Sequence, residues 1–268
     1  MKAEGEKTPA DILITVDAGN LWHAAASDLL QAVDSEILET NIPENLRDPE
    51  NRWFGFSVRA RTIVYNTQKV KPAELSTYES LGNPEWKGRL CLRTSKKVYN
   101  QSLVAMMIQE LGEPEAQKIV ESWISNLATD VFADDTAVLQ AVAAGQCDAG
   151  IVNTYYFGRI MEENAGLPIA LFWPNQDGRG VHVNISGAGI TRYAPHRETA
   201  VRFLEWLSSE KAQNLFADSN MEYPANPAVP ANLKVRAWGQ FKQDLINVAV
   251  AGELQEAAVK LMDRAKYK

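Results

Sequence analysis

Apolar positions along the 268-residue chain recur with two different periods, and these periods predict where strands and helices lie. Asp11–Val16 is a short apolar, β-branched run that predicts a buried strand, and 21–32 repeats apolar residues at helical spacing. Residues 54–65 alternate apolar and polar side chains and predict an unusually long strand. Further strands are predicted at 89–94, 129–132, 148–152 and 169–173. Because helices are predicted between them, we expect an α/β fold with a parallel sheet covered on both faces.

A second long strand is predicted over 181–192, after the strand–helix series. If both long strands cross between lobes, the chain folds as two α/β lobes joined by a two-strand hinge. On this interpretation the smaller, N-terminal lobe comprises 1–64 plus 187–240, and the larger, C-terminal lobe comprises 65–186 plus 241–268. A ligand would then bind in the cleft, at the carboxyl ends of the parallel strands.

Two adjacent tyrosines, Tyr155 and Tyr156, stand where a predicted strand turns into a predicted helix. The apolar run Ala149–Val152 leads into them, and an amphipathic segment reaching Asn164 follows. A phenol titrates near pH ~10 in water, so it ionises at neutral pH only beside a cation or a strong dipole. A helix start carries a partial positive charge and a trivalent metal ion a far larger one, so the pair can serve as ligands for Fe(III). On these residues alone, two packing aromatics are the commoner interpretation.

Composition narrows the class of function. With 34 acidic and 27 basic side chains the formal net charge is −7, which argues against a nucleic-acid or anionic-membrane surface and mildly favours a cation binder. The same charge would also serve simple solubility. No apolar run reaches transmembrane length. The chain has no Gly-x-Ser-x-Gly, no histidine pair at metal-binding spacing and no phosphate-binding glycine loop, which argues against an enzyme.

Several stretches, in order along nearly the whole chain, resemble one protein family. They include Pro9–Gly19, Arg59–Arg61, Tyr99–Leu103, Asn153–Tyr156 and Gly178–Gly187. In these stretches the chain is similar to the ferric-iron-binding proteins of bacterial ABC importers, a branch of the periplasmic solute-binding proteins. The resemblance implies a type II two-lobed fold and a periplasmic location. It also implies that the protein captures Fe(III) and delivers it to an inner-membrane ABC permease, without covalent chemistry.

The resemblance further implies the residues of the site. Tyr99, Tyr155 and Tyr156 correspond to phenolate ligands from the larger lobe, and three phenolates neutralise a trivalent ion. Arg59 and Arg159 correspond to arginines that hydrogen-bond phenolate oxygens or a bound anion such as carbonate.

Two other features are interpreted in the light of the family. Asp134–Thr136 are expected to cap a helix first and to line the cleft second. Cys91 and Cys147 match no metal or redox spacing, but they lie near the starts of two strands that such a sheet would place side by side. A disulfide between them would fit an oxidising periplasm, and two free thiols are the alternative.

The beginning of the chain departs from the family pattern. Residues 1–7 are charged and lack the apolar core of a signal peptide, and no strand–helix–strand precedes Pro9–Ala18. We therefore expect an incomplete first lobe, with an apolar sheet edge at Asp11–Val16 that could support oligomers. We also expect the site to lack the ligands that family members contribute from the smaller lobe, and so to bind iron more weakly.

Two alternatives within this fold stay open. One is a receptor for an anion or a small organic solute, with Arg59, Arg159 and helix N-termini holding charge and the tyrosines acting as aromatic walls. The other is a truncated remnant with impaired iron binding.

Overall fold

The structure, a computed structural model, describes residues 1–268 except for the side chains at positions 217 and 218. The strands are β1 (Ile12–Val16), β2 (Phe54–Asn66), β3 (Leu90–Cys91), β4 (Ala149–Asn153), β5 (Ile169–Phe172), β6 (Val183–Ile190) and β7 (Tyr223–Pro224). The helices are α1 (Ala18–Ala26), α2 (Glu36–Asn41), α3 (Val98–Leu111), α4 (Glu113–Ser125), α5 (Asp135–Ala143), α6 (Thr154–Glu163), α7 (Arg197–Leu207), α8 (Glu210–Asn220), α9 (Leu233–Arg236), α10 (Val250–Glu253) and α11 (Gln255–Arg264).

The chain divides into two compact units, each built from three separate stretches. Unit 1 comprises Met1–Arg59, Asn184–Val235 and Ile246–Glu253. Unit 2 comprises Ala60–Val183, Arg236–Leu245 and Leu254–Lys268. The lobes and the two-strand hinge inferred from the sequence stay a prediction.

The strands of unit 1 pair antiparallel. β1 runs beside β6, with Ile12 opposite Ile190, and β7 pairs with the first half of β2 through Ser57. β1 is the end strand in the strand order, and its side chains Ile14 and Val16 are 58% and 46% exposed. These apolar side chains therefore lie at a sheet edge.

Two glycines let β6 lie unusually close to the chain around the start of β2. A Cβ atom at Gly187 would lie 2.4 Å from the carbonyl oxygen of Phe54, and one at Gly189 would lie 2.4 Å from that of Arg52. Any larger residue would have to push these segments of unit 1 apart.

The sheet of unit 2 has the strand order β3–β4–β2–β5. β3 and β4 run parallel, but β2 runs antiparallel to both β4 and β5, so the expectation of a parallel sheet is wrong for β2. Every residue of β2 is buried, and the apolar periodicity of a strand does not record its direction. The strand predicted at 129–132 is also wrong, because in this stretch Phe132 makes only an isolated bridge to Arg93.

Both faces of the unit 2 sheet are covered, as predicted. Neighbouring residues of β2 and β4 enter two different apolar cores: Ile63 and Ile151 belong to one, and Val64 and Val152 to the other. Side chains of α3, α4 and α11 complete the first core, and side chains of α5 and α6 complete the second. This is the layered arrangement of an α/β fold. None of the described helices has both the length and the apolar character needed to cross a membrane.

Candidate metal centre

The helices that carry the predicted tyrosine ligands begin at the same edge of the unit 2 sheet. β3 and β4 are parallel neighbours, with Leu90 opposite Ala149 and Cys91 opposite Gly150. Parallel strands end at the same edge, so α3 and α6, which follow these two strands, start close together. The local order of strand and helix therefore brings distant parts of the sequence to one place.

Three tyrosines meet at these two helix starts. Tyr99 lies in the first turn of α3, and Tyr155 and Tyr156 lie in the first turn of α6. The hydroxyl of Tyr155 donates a hydrogen bond to the hydroxyl of Tyr99 over 3.4 Å, and the ring centroids of Tyr155 and Tyr156 are 4.4 Å apart. Tyr155 is 9% exposed, whereas Tyr99 and Tyr156 are half-buried. The structure thus brings the three predicted ligands together on unit 2.

Two guanidinium groups lie against the tyrosine rings. The central carbon of Arg93 is 4.8 Å from the ring centroid of Tyr99, and that of Arg159 is 5.1 Å from the ring centroid of Tyr155. Burial raises the pKa of Tyr155, and hydrogen bonds with Tyr99 and Tyr156 raise that pKa further. Tyr155 is therefore a neutral phenol at neutral pH, and any metal ion that took its oxygen as a ligand would have to displace its proton.

A fully buried carboxylate, Asp135, holds two buried arginines next to the tyrosines. Its Oδ2 atom accepts a hydrogen bond from Nη1 of Arg61 over 3.0 Å, and its Oδ1 atom accepts one from Nη1 of Arg93 over 3.2 Å. Oδ2 also accepts a hydrogen bond from the backbone N–H of Asn153, at the start of α6, over 2.8 Å. One carboxylate on α5 therefore connects β2, the segment between β3 and α3, and the start of α6.

The expectation that this segment caps a helix is confirmed for Asp134 but not for Asp135. Asp134 caps α5 by accepting a hydrogen bond from the backbone N–H of Ala137 over 2.9 Å. Asp135 is the first residue of the helix and points into the network of arginines instead.

Sequence reasoning missed Arg61 and Arg93 as neighbours of the tyrosines, and it offered Asp135 as a cleft residue only second, without its arginine partners. A signal was available, because Arg61 and Arg93 both stand in segments otherwise predicted to be buried strands. Buried charged side chains are usually paired with an opposite charge, so an arginine in a buried strand predicts a carboxylate nearby. The sequence did not indicate which of the chain's acidic residues would supply it.

The structure gives Arg59 partners within unit 1. Its Nη2 atom lies 3.9 Å from Oδ2 of Asp17, and its Nη1 atom donates a hydrogen bond to Oγ of Ser186 over 3.4 Å. Both charged side chains of this pair are buried. A role for Arg59 toward a phenolate or an anion stays a prediction.

Cys91 and Cys147 form a disulfide within unit 2. Cys91 lies on β3, and Cys147 precedes the neighbouring strand β4. The bond joins the two chain segments that lead to the tyrosines, and both of its sulfur-bearing residues are buried.

The donors that converge here are phenol oxygens. Among the residues whose side chains are described, no group of three or more His, Cys, Asp or Glu could hold a metal ion. Hard metal ions prefer oxygen ligands, and oxygens about 2 Å from a metal ion in octahedral geometry lie about 3 Å from one another. The 3.4 Å between the hydroxyls of Tyr99 and Tyr155 is close to that separation, so the donor set fits a hard metal ion.

Comparison with known sequences places most of the chain in one group. A profile of the bacterial extracellular solute-binding proteins matches residues 7–242. Iron uptake protein A1 of Synechocystis is 46% identical over 278 residues, which cover 100% of this chain and 76% of that protein. The major ferric iron-binding protein of Neisseria meningitidis serogroup B is 26% identical over 274 residues, which cover 100% of this chain and 81% of that protein.

Solved structures give the same result. A Trichodesmium protein (IdiA, FutA) in complex with iron and citrate ligands superposes with a TM-score of 0.97 at 46% identity, covering 100% of this chain and 86% of that one. Ferric iron-binding protein A of Mannheimia haemolytica, in an open conformation, gives a TM-score of 0.94 at 38% identity, covering 99% of this chain and 85% of that one. The predicted fold class is thereby confirmed. These relatives are described by iron uptake or ferric-iron binding and not by an enzymatic reaction.

Proposed function

The chain belongs to the bacterial extracellular solute-binding protein family, and we propose that it binds Fe(III) through the phenolate oxygens of Tyr99, Tyr155 and Tyr156. The observation that carries this proposal is the convergence of three phenols from two helix starts, with the hydroxyls of Tyr155 and Tyr99 3.4 Å apart. Such a cluster has no need of three hydroxyls for packing alone, because phenylalanine would fill the same volume.

The charges around the tyrosines support a trivalent ion. Three phenolates carry three negative charges and so balance Fe(III), which makes a partly buried site tolerable. Arg93 and Arg159, each against a tyrosine ring, place two positive charges beside the negative charge that three phenolates would bring. The raised pKa of Tyr155 works in the opposite direction, so the ion must bind strongly enough to release that proton. Fe(III), a small ion of high charge, meets this requirement better than a divalent ion.

The relatives support the same cargo and suggest its destination. Proteins of iron uptake and ferric-iron binding cover this chain from end to end. We therefore propose a periplasmic protein that passes its iron to an inner-membrane ABC permease. Carbonate as an accompanying anion stays a prediction; the Trichodesmium relative was solved with citrate, so citrate is the second anion to test.

The test is a titration of the purified chain with Fe(III) supplied as its citrate complex. Ligation by phenolate gives a visible phenolate-to-iron charge-transfer band, which we expect to saturate near one iron per chain. Tyr155→Phe combined with Tyr156→Phe leaves Tyr99 as the one remaining phenolate, so it should weaken and shift the band. It should also weaken binding more than about 100-fold, since even partners of metal ligands contribute about 10–100-fold. Tyr65→Phe is a matched control, because Tyr65 is buried in the same unit and is 8% exposed.

Two outcomes would overturn the proposal. The parent chain would show no band at any ratio of iron to protein, or the double variant would bind iron as the parent does. Binding of citrate without iron, retained in the double variant, would instead favour the receptor for an anion or small organic solute.

A further inference from the structure

We propose that Arg93 is the positioning residue of the iron centre, and that it acts through Tyr99. This inference rests on the proposed function. The side chain of Arg93 lies on the ring of Tyr99, its guanidinium group is held by Asp135, and its backbone is held by Tyr267.

The first contact sets the ring of Tyr99. The central carbon of Arg93 is 4.8 Å from the ring centroid, and the arginine is 3% exposed. A guanidinium group is planar, so it can stack its face on an aromatic ring while its edge donates hydrogen bonds to a carboxylate. Arg93 therefore limits the directions in which the half-buried ring of Tyr99 can turn.

The second contact relates Tyr99 to the other two tyrosines. Nη1 of Arg93 donates to Oδ1 of Asp135 over 3.2 Å, while Oδ2 of Asp135 accepts from the backbone N–H of Asn153 over 2.8 Å. Asn153 is the residue directly before α6, two positions from Tyr155. The same buried carboxylate, Asp135, thus positions both the start of α6 and the arginine that contacts the ring of Tyr99.

The third contact comes from the far end of the sequence. The hydroxyl of Tyr267 donates a hydrogen bond to the carbonyl oxygen of Arg93 over 2.7 Å. Asn100, the residue after Tyr99, donates from Nδ2 to the same carbonyl over 3.3 Å and also to the hydroxyl of Tyr267. Next to this, the backbone N–H of Ser95 donates to the carbonyl oxygen of Lys268 over 2.8 Å. The segment between Arg93 and Tyr99 is therefore fixed at both of its ends.

A purely structural ion pair is the competing explanation for Arg93. It predicts that a substitution lowers stability but leaves the bound iron unchanged in whatever protein is folded. A positioning role predicts a change in the iron centre of the folded protein, in its affinity and in the energy of its charge-transfer band.

The chain offers a matched control for this test. Arg89, also in unit 2, lies over the ring of Trp86 at 4.7 Å, and its Nε atom donates to Oδ2 of Asp148 over 2.6 Å. It reproduces the combination of aromatic ring and carboxylate seen at Arg93, but its ring is an indole and not a phenol. Arg93→Lys and Arg89→Lys each keep the positive charge and remove the planar group.

The experiment measures the Fe(III) dissociation constant by competition with citrate, together with the maximum of the charge-transfer band and the thermal transition. We expect Arg93→Lys to bind iron about 10–100-fold more weakly and to shift the band, as loss of a partner of a metal ligand does elsewhere. Arg89→Lys should keep the parent's affinity and band. Tyr267→Phe, which removes one hydroxyl and keeps the ring, should shift the band in the same direction with a smaller loss of affinity.

A folded Arg93→Lys protein whose affinity and band match the parent would overturn the proposal. If that variant shows no cooperative thermal transition, Tyr267→Phe decides in its place, and an unchanged band in that variant overturns the proposal. Failure of the proposed function looks different, because then the parent chain itself shows no band, and the assignment of Arg93 falls with it.

Discussion

Removing the disulfide between Cys91 and Cys147 should destabilise unit 2 without dismantling the tyrosine centre. The two residues are 56 positions apart, and a crosslink that closes a loop of this length restricts the unfolded chain by about 4 kcal/mol. The perturbation is the double variant Cys91→Ala, Cys147→Ala. Both side chains are buried, so the lost sulfur atoms add a smaller packing cost to this figure.

The assay is unfolding in urea, followed by tryptophan fluorescence, of the parent and the double variant. With a denaturant slope of about 2–3 kcal/mol/M, a loss of about 4 kcal/mol lowers the urea midpoint by about 1.3–2 M. The parent in reductant is the second comparison. A thiolate must reach the bond to exchange with it, so the buried disulfide should resist reductant in the folded protein and yield only as unit 2 unfolds.

Measuring iron binding in the same double variant distinguishes a loss of stability from a loss of function. The cysteines flank the chain segments that lead to Tyr99 and Tyr155 but donate nothing to the centre, so the folded double variant should keep the charge-transfer band. A midpoint within about 0.3 M of the parent would refute the loop-closure argument, since it corresponds to less than about 1 kcal/mol. Loss of the band in the folded double variant would show that the tyrosine centre depends on the disulfide, which contradicts this prediction.

Three further predictions follow from the tyrosines, the buried ion pairs and the glycines of β6. Burial keeps Tyr155 protonated, and each phenol that binds Fe(III) must lose a proton. Lowering the pH from about 8 to about 6 should therefore weaken Fe(III) binding by up to about tenfold per pH unit per tyrosine. Equal Fe(III) dissociation constants at the two pH values, after correction for the protonation of citrate, would contradict this prediction. Asp135→Asn leaves the buried Arg61 and Arg93 without their anion and should cost about 3–5 kcal/mol in urea unfolding, whereas a loss below about 1 kcal/mol would show that the arginines find other partners. Gly187→Ala places a Cβ atom against the carbonyl of Phe54 and should lower the free energy of unfolding by at least about 1–3 kcal/mol. An unchanged thermal transition would contradict this prediction.

Local pattern was sufficient to predict the elements that carry Tyr155 and Tyr156. The apolar run before Tyr155 predicts β4, and the polar turn with a periodic segment after it predicts α6, which the structure has at Thr154–Glu163. The alternation of residues 54–65 predicts β2, which ends one residue later. These signals are local, since they depend only on neighbouring residues facing the core or the solvent.

The parts that sequence reasoning missed depend on contacts between distant residues. The direction of β2 follows from its partners and not from its own side chains, all of which are buried. Asp135 has the sequence context of a helix cap, yet its carboxylate pairs with Arg61 of β2 and with Arg93, which follows β3. Tyr267 gave no signal at all, because its hydroxyl acts on a carbonyl 174 positions away.

The interleaved path of the chain limits how the tyrosine centre could be reused in another protein. Residues 60–183 contain all three tyrosines, so they look like a transferable module. That fragment would omit α11, whose Ala258 and Leu261 fill the core shared with α3, and it would omit Tyr267. An engineer who wants the centre in a new scaffold would have to join the last stretch of unit 2 to the first with a linker, since no single cut of the gene releases it.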